Sequence, residues 1–371
     1  MLEEKAYWVG FNIVKGIGSV RMKRLLEFFG DAASAWDAST DSLQEAGLGP
    51  QVINSFIEFR TGNSLEQIWR QIQKEDLQVL TWLDDGYPIR LREIDNSPPV
   101  IYVCGSLLEE DNWAVSIVGT RRMTSYGSQV TNEIAHALAS SGITVISGLA
   151  RGVDAVAHRS ALNSGGRTIA VLGSGVDRIY PPEHRQLAKQ IIVNGALLSD
   201  YAPGTPPEGV NFPPRNRIIS ALSKAVVVVE AGKQSGALIT AAFAAEQGRE
   251  VYAVPGNIYA PQSKGTNLLI QQGAQCMLDV QDILETLNLV MVNEQRTARS
   301  ILPSDATEAQ LYSLLGNEPL HIDEILARSK LAIDKVSATL TVMELKGMVR
   351  QVGSMHYIAV HERSPQYDTG V

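Results

Sequence analysis

Short, nearly continuous apolar runs alternate with helix-length amphipathic stretches through the middle of this chain. The runs are residues 114–118, 143–147, 168–172, 196–199, 225–229, 250–254 and 275–278. Between them lie helical stretches at 127–140, 153–164, 183–193, 216–222, 237–247 and 267–272. Strands that are apolar on both faces and separated by helices predict a parallel sheet covered on both sides. The expected fold class is therefore α/β, a Rossmann-like, doubly wound and mostly parallel sheet. Two more strand-like runs, 77–83 and 100–104, precede it around the turn-rich segments 84–88 and 97–99.

The flanks follow other periods. Residues 20–29, 40–46, 50–60 and 65–75 read as short helices, and Gly16-Ile17-Gly18 and Gly47-Leu48-Gly49 each precede one of them. That spacing resembles a helix-hairpin-helix or sterile-alpha-motif-like unit, whose loop amides can meet a DNA backbone. A small helical bundle with glycine turns fits the same text. Near residues 293–305 the pattern becomes polar, and 308–315, 321–327 and 333–346 then read as three helices. A ribbon over 347–360, with Gly353-Ser354 at its turn, completes a winged-helix-like pattern. The expected segments are a helical domain over 1–75, a Rossmann-like core over 76–290, a linker over 291–304 and a winged-helix-like domain over 305–363.

Composition narrows the class. Of 371 residues, 44% are hydrophobic and 19% charged, which suits folded domains. Cys104 and Cys276 sit in apolar runs without metal-type spacing, and two thiols in so long a chain suggest a reducing cytoplasm. The N-terminus is acidic and leads into no long apolar stretch, so secretion and membrane insertion are not expected. A net charge of −8 argues against a polyanionic partner, but the distribution reverses that argument. Residues 112–290 carry 14 Lys and Arg against 12 Asp and Glu, and many of those cations stand beside glycine-rich loops.

Ligands of a doubly wound sheet bind at the carboxyl ends of its strands, so the residues after each strand are the candidates. The first loop holds Gly119, Arg121 and Arg122, leading into a helix whose N-terminal amides suit an anion. The second, Ser147-Gly148-Leu149-Ala150-Arg151-Gly152-Val153-Asp154, offers a nest of amides. Asp154 and His158 are four apart and could form an acid–imidazole pair; the preferred reading has Asp154 tying loop amides in place. After the third strand, Tyr180-Pro181-Pro182 forms a rigid lip. A proline-rich loop over 201–214 ends in Phe212 beside Arg215, Asn216 and Arg217, joining a stacking face to cations as single-strand binding requires. Gly232, Lys233, Ser235 and Gly236 form a further helix entry, and Lys264 precedes the last core helix. Several phosphate-sized loops on one sheet edge describe a nucleic-acid strand better than a mononucleotide.

These motifs, in this order over residues 87–287, resemble the DNA-processing protein A (DprA/Smf) family. The stretches that carry the likeness are Gly119-Thr120-Arg121-Arg122, Ser147 to His158, Gly173-Ser174-Gly175-Val176-Asp177, Phe212 to Leu222, Glu230 to Ala241, and Val254 to Ile258 with Ser263 to Ile270. The resemblance implies a non-catalytic, cofactor-free protein that binds and protects single-stranded DNA and loads the RecA recombinase during natural transformation. It also implies a homodimer and contact with single-strand-binding protein. By matching motif it places Gly119, Arg121, Ser147, Gly148, Ala150, Gly152, Asp154, Arg215, Asn216, Arg217, Ser235, Gly236 and Lys264 in the binding pocket.

Other classes find less support. No Gly-x-x-x-x-Gly-Lys-Ser/Thr loop appears, and the six histidines include no metal-ligating cluster. A nucleotide or phosphoribose hydrolase on the same scaffold would resemble the cytokinin-activating phosphoribohydrolases, but residues 231–240 lack the acidic residue of their Pro-Gly-Gly-x-Gly-Thr-x-x-Glu loop. A duplex-reading regulator would need cations on its recognition helix, and residues 331–346 offer only Lys335 and Lys346.

Overall fold

The computed structural model describes residues 2–75, 77–286, 306–315, 319–345, 348–352 and 355–359. They fall into two compact units, divided between Leu287 and Asn288. The expected linker over 291–304 and the Gly353-Ser354 turn lie outside the described residues.

The first unit opens with α1 (Glu4–Ile13), α2 (Ser19–Phe29), α3 (Ala32–Asp37), α4 (Thr40–Glu45), α5 (Pro50–Gly62) and α6 (Leu65–Lys74). Then come β1 (Gln78–Thr81), the single turn α7 (Ile89–Arg92) and β2 (Val100–Gly105). The alternating part follows as β3 (Ala114–Val118), α8 (Ser125–Ser140), β4 (Thr144–Ser147), α9 (Val153–Asn163), β5 (Thr168–Val171), α10 (Arg185–Val193) and β6 (Gly195–Ser199). It continues with α11 (Phe212–Ala221), β7 (Ala225–Val228), α12 (Gly236–Glu246), β8 (Glu250–Ala253), α13 (Lys264–Gln271), β9 (Gln275–Cys276) and α14 (Val280–Thr286).

One nine-stranded sheet runs β1-β2-β6-β5-β4-β3-β7-β8-β9. From β6 to β9 every pairing is parallel, while β2 is antiparallel to both β1 and β6. Side chains along the strands alternate between two hydrophobic clusters. Ile169 and Val171 belong to one and Ala170 to the other; Ala196 and Leu198 to one and Leu197 to the other. That period of two, with both clusters buried, is the expected Rossmann-like sheet covered on both faces.

Two departures from the sequence pattern have physical causes. Helix α1 has no amphipathic signature because it is buried on most sides: Ala6, Trp8, Val9, Gly10 and Phe11 are all inside. Trp8 meets Trp82 edge to face at 5.9 Å, Asn12 accepts from the Tyr102 hydroxyl at 2.9 Å, and its amide donates to the Asp200 carbonyl at 3.2 Å. The N-terminal helices thus share one hydrophobic cluster with Ala170 and Leu197 of the sheet and Leu187 and Ile191 of α10. Second, the segment expected as a loop to residue 214 turns helical at Phe212. Pro213 and Pro214 occupy the first turn of α11, where a missing N–H costs nothing.

The second unit contains α15 (Ala306–Leu314), β10 (Leu320–His321), α16 (Ile322–Ser329), α17 (Ile333–Leu345), β11 (Val349–Gln351) and β12 (His356–Ala359). Its sheet runs β10-β12-β11, antiparallel throughout, over a core that includes Leu311, Ile325, Val336, Leu340 and Met343. Three helices with a small sheet of this order form a winged helix.

Candidate functional site

The strand order decides where a ligand can sit. Starting at β3, the sheet grows through β4, β5 and β6 on one side and through β7, β8 and β9 on the other. The connections leaving β3 and β7 therefore diverge, and a crevice opens at their carboxyl ends. A cleft of about 810 Å³ occupies this position, lined by Gly119 to Arg122, by Gly232 and Gln234 to Ala237, and by the first turns of α11 and α12. At its base the Thr120 N–H donates to the Glu230 carbonyl at 2.7 Å, so the two diverging loops are tied where they part.

Helix α11 supplies the cleft wall. Residues three and four apart share a helix face, and Phe212, Arg215, Asn216 and Ile219 all line the cleft. Phe212 is seated against Gly173, where a Cβ would come within 2.8 Å of the ring. The Arg121 guanidinium lies 5.6 Å from the Phe212 centroid, and the Tyr180 ring lies 5.8 Å away, tilted by 34°. Arg121, Arg122 and Tyr180 are exposed. Among the described residues, neither Arg121 nor Arg122 forms an ion pair. The result is an aromatic face between accessible cations, a surface that can stack a base and neutralise its phosphate.

The other predicted residues divide by where their side chains go. Gly119, Ala150, Asp154, Gly232, Ser235 and Gly236 also line the cleft, and Lys233 is exposed between Gly232 and Gln234. Gly148 and Arg151 line an adjoining recess with Tyr180 and Pro181. Arg151 is paired with Glu183 at 2.6 Å. Ser147 and Arg217 were expected to face a strand, and the structure turns both inward. The Ser147 hydroxyl is buried and donates to the Ile117 carbonyl at 2.6 Å, a tie between β4 and β3. Arg217, two residues beyond Arg215, points away from the cleft face of α11 and pairs with Asp200 at 3.0 Å. Gly152 adopts φ +77°, and a Cβ there would strike the Thr120 carbonyl, so its absent side chain serves the packing of the β3 loop. Lys264 is exposed at the start of α13 and does not line the cleft.

Arg215 is a structural floor rather than a free phosphate fork. It is 5% exposed and donates to the carbonyls of Gly148, at 2.9 Å, and Val171. Burial lowers its guanidinium to about 10, with Asp154 opposing the shift, so it stays charged at neutral pH. Gly148 is required beneath it, since a Cβ would sit 2.8 Å from the guanidinium.

Three of the loop amides, those of Gly148, Ala150 and Thr124, are used by the protein's own carboxylates. Asp154 accepts from the N–H groups of Gly148 and Ala150, both at 3.2 Å, and so fills the nest after β4. Burial pushes its carboxyl up, against the pull of Arg215 and of those amides. Glu230, buried at the end of β7, accepts from the Thr124 N–H at 2.9 Å and its hydroxyl at 2.5 Å. The Thr124 hydroxyl in turn caps α8 by accepting from the Gly127 N–H. Accessible positive charge at the cleft therefore rests on side chains, mainly Arg121, Arg122 and Lys233. The role of Glu230 in holding the Thr124 cap has no sequence signal, because it depends on a contact 106 residues away.

His158 does not pair with Asp154. Its Nδ1 lies 2.6 Å from the Thr168 hydroxyl, whose proton goes to the Val145 carbonyl. The histidine Nδ1–H is therefore the donor, and Nε2 is buried without a partner. Burial lowers this imidazole to about 3, helped by repulsion from His184 and Arg215. The unfolded chain thus binds more protons between pH 6.5 and 3, and stability falls as pH falls through that window. Moving from pH 7 to pH 5 is expected to remove about 2 kcal/mol through this group. Urea unfolding at both pH values checks this: His158→Gln should lose correspondingly less than the wild type, and equal losses would rule it out.

Among the described residues, no three His, Cys, Asp or Glu side chains gather as a metal site, and no helix is long and apolar enough to cross a membrane.

Comparison with known proteins places this architecture. The family model for DNA recombination-mediator protein A matches residues 78–288, and that for the DprA winged helix domain matches residues 295–354. Protein Smf of Synechocystis is 39% identical, over 95% of this chain and 98% of its own length. The X-ray structure of DNA processing protein A from Streptococcus pneumoniae superposes with a TM-score of 0.67 at 32% identity, covering 76% of this chain and 97% of that one. A structure of DNA processing protein A from Helicobacter pylori, described for its single-stranded DNA binding mode, gives a TM-score of 0.51 at 31% identity and covers 57% and 95%. The α/β core and the C-terminal winged helix thus each match a model of one lineage, and the chain belongs to the DNA recombination-mediator protein A (DprA/Smf) family.

Proposed function

We propose that this protein binds single-stranded DNA in the cleft between the β3 and β7 loops and does not alter it chemically. The observation that carries this reading is the half-buried Phe212 ring between exposed Arg121 and Tyr180, above a floor held by the Arg215 hydrogen bonds. A stacked base contributes about 1–3 kcal/mol with little dependence on its identity. The side chains called on are Arg121, Arg122, Lys233 and Phe212, within a frame held by Gly119, Gly148, Asp154, Arg215 and Asn216. Turnover is not expected, because Asp154, which lines the cleft, and Glu230, buried behind it, are committed to backbone and hydroxyl donors.

Family membership supports the further reading that the protein works in the cytoplasm as a homodimer. There it would load a RecA recombinase onto the bound strand, in contact with single-strand-binding protein, during natural transformation. The H. pylori relative is described as binding single-stranded DNA, and this chain has a cleft at its own switch point that could take a strand.

Anisotropy titrations with a single-stranded oligonucleotide and its duplex, across a salt series, test the proposal. The single strand should bind more tightly, with affinity falling by a log–log slope of about 0.7 per phosphate contacted. Nucleoside phosphates incubated with the protein should release neither base nor phosphate. Equal affinity for the duplex, or turnover that a cleft substitution abolishes, would overturn the reading.

A further inference from the structure

Beyond the cleft, the loop between β8 and α13 carries two apolar side chains in open solvent, Ile258 at 69% exposed and Tyr259 at 84%. So large an apolar exposure on a well-tied loop is the informative kind. Asn267 grips both sides of Gly256, accepting from its N–H at 3.1 Å and donating to its carbonyl at 2.9 Å. The Asn257 side chain accepts from the Tyr259 N–H at 2.9 Å, and the Asn257 carbonyl accepts from Ala260 at 2.9 Å. The tip is therefore pinned, with its aromatic ring outside.

Two bridges join this loop to the walls of the cleft. On one side the Tyr126 hydroxyl, from the first turn of α8, donates to the Pro255 carbonyl at 3.0 Å. On the other, the Ala231 N–H donates to the Gln262 carbonyl at 2.7 Å, and the Gly265 N–H donates to the Ala231 carbonyl at 2.7 Å. Tyr126 follows Arg121 and Arg122 in the chain, and Ala231 precedes Lys233. Lys264, which the cleft does not use, is exposed where this loop enters α13.

We infer that Tyr259, on the loop whose bonds to Ala231 join the segments bearing exposed Lys233 and Lys264, is a second base-stacking station for single-stranded DNA leaving the Arg121–Phe212 cleft. The inference rests on the single-strand reading of the cleft. An exposed ring held on a tied loop loses little entropy on stacking, and the two lysines supply the charge for the intervening phosphates. The occupant is the same strand, because the loop belongs to the same sheet edge and is hydrogen-bonded to both cleft walls.

Oligonucleotide length separates the two stations. A strand of about four nucleotides should fill the cleft, whereas one of about twelve should reach the outer loop. Tyr259→Ala is expected to leave the shorter strand unaffected and to weaken the longer by at least about fivefold, with Tyr259→Trp restoring it. Because Tyr259 is solvent-exposed, its removal should leave the fold intact, which thermal unfolding checks. Phe212→Ala, in contrast, should weaken both lengths. Unchanged binding of the longer strand, or equal losses at both lengths, would overturn the second station while the cleft reading stands. Failure of the wild type to bind either strand would overturn both. A change in sedimentation of Tyr259→Ala without DNA would assign the ring to self-association and also overturn it.

Discussion

Arg215→Ala is expected to cost the first unit about 3–5 kcal/mol, the range for removing one partner from a buried, hydrogen-bonded charge site. Its guanidinium satisfies the carbonyls of Gly148 and Val171 and stands opposite the buried Asp154 carboxyl. Truncation leaves those carbonyls without a donor and Asp154 without its counter-charge, and it opens a void beneath Phe212. Arg215→Lys should recover little, because an ammonium cannot span two carbonyls as the planar fork does. Urea unfolding of the full chain reads this directly, and the first unit's melting temperature should fall by roughly 10 °C. A loss below about 1 kcal/mol would show that Arg215 is not the floor described.

Phe212→Ala and Arg121→Ala should produce the largest losses of single-strand affinity, for different reasons. Removing the ring takes away about 1–3 kcal/mol of stacking, a loss of roughly 5- to 150-fold, and should leave the salt slope nearly unchanged. Removing the guanidinium should lower the slope by about 0.7, the signature of one phosphate contact on a single strand. Because Arg121 lies over the Phe212 ring, the two changes should not add, and a double-mutant cycle should return a coupling of at least about 0.5 kcal/mol. Additive losses, or an unchanged slope in Arg121→Ala, would mean that the layer does not act as one surface.

The sheet was readable because its signal is local. Runs such as Ala114–Val118 and Thr168–Val171 are apolar on both faces, and only a sheet covered on both sides accepts such strands. Helix α1 was not readable. Its aromatic and glycine positions carry no helical period, and partners such as Trp82, Tyr102 and Asp200 fix it from far along the chain. The start of α11 is not legible either, because Phe212-Pro213-Pro214 reads as loop until the helix behind it is seen.

For the site, the one-dimensional text determined which loops carry chemistry. Glycines, arginines and Phe212 recur after successive strands, and parallel topology sends those strand ends to one edge. Only the folded chain decided which of those side chains remain available. Arg121, Arg122 and Lys233 stay in solvent, whereas Arg215 and Arg217 turn inward to meet carbonyls and Asp200, and Asp154 and Glu230 take up loop amides. The reason is that a side chain's availability depends on distant partners. Burial compels each enclosed polar group to find one, and residue type and spacing carry no record of which groups will be enclosed.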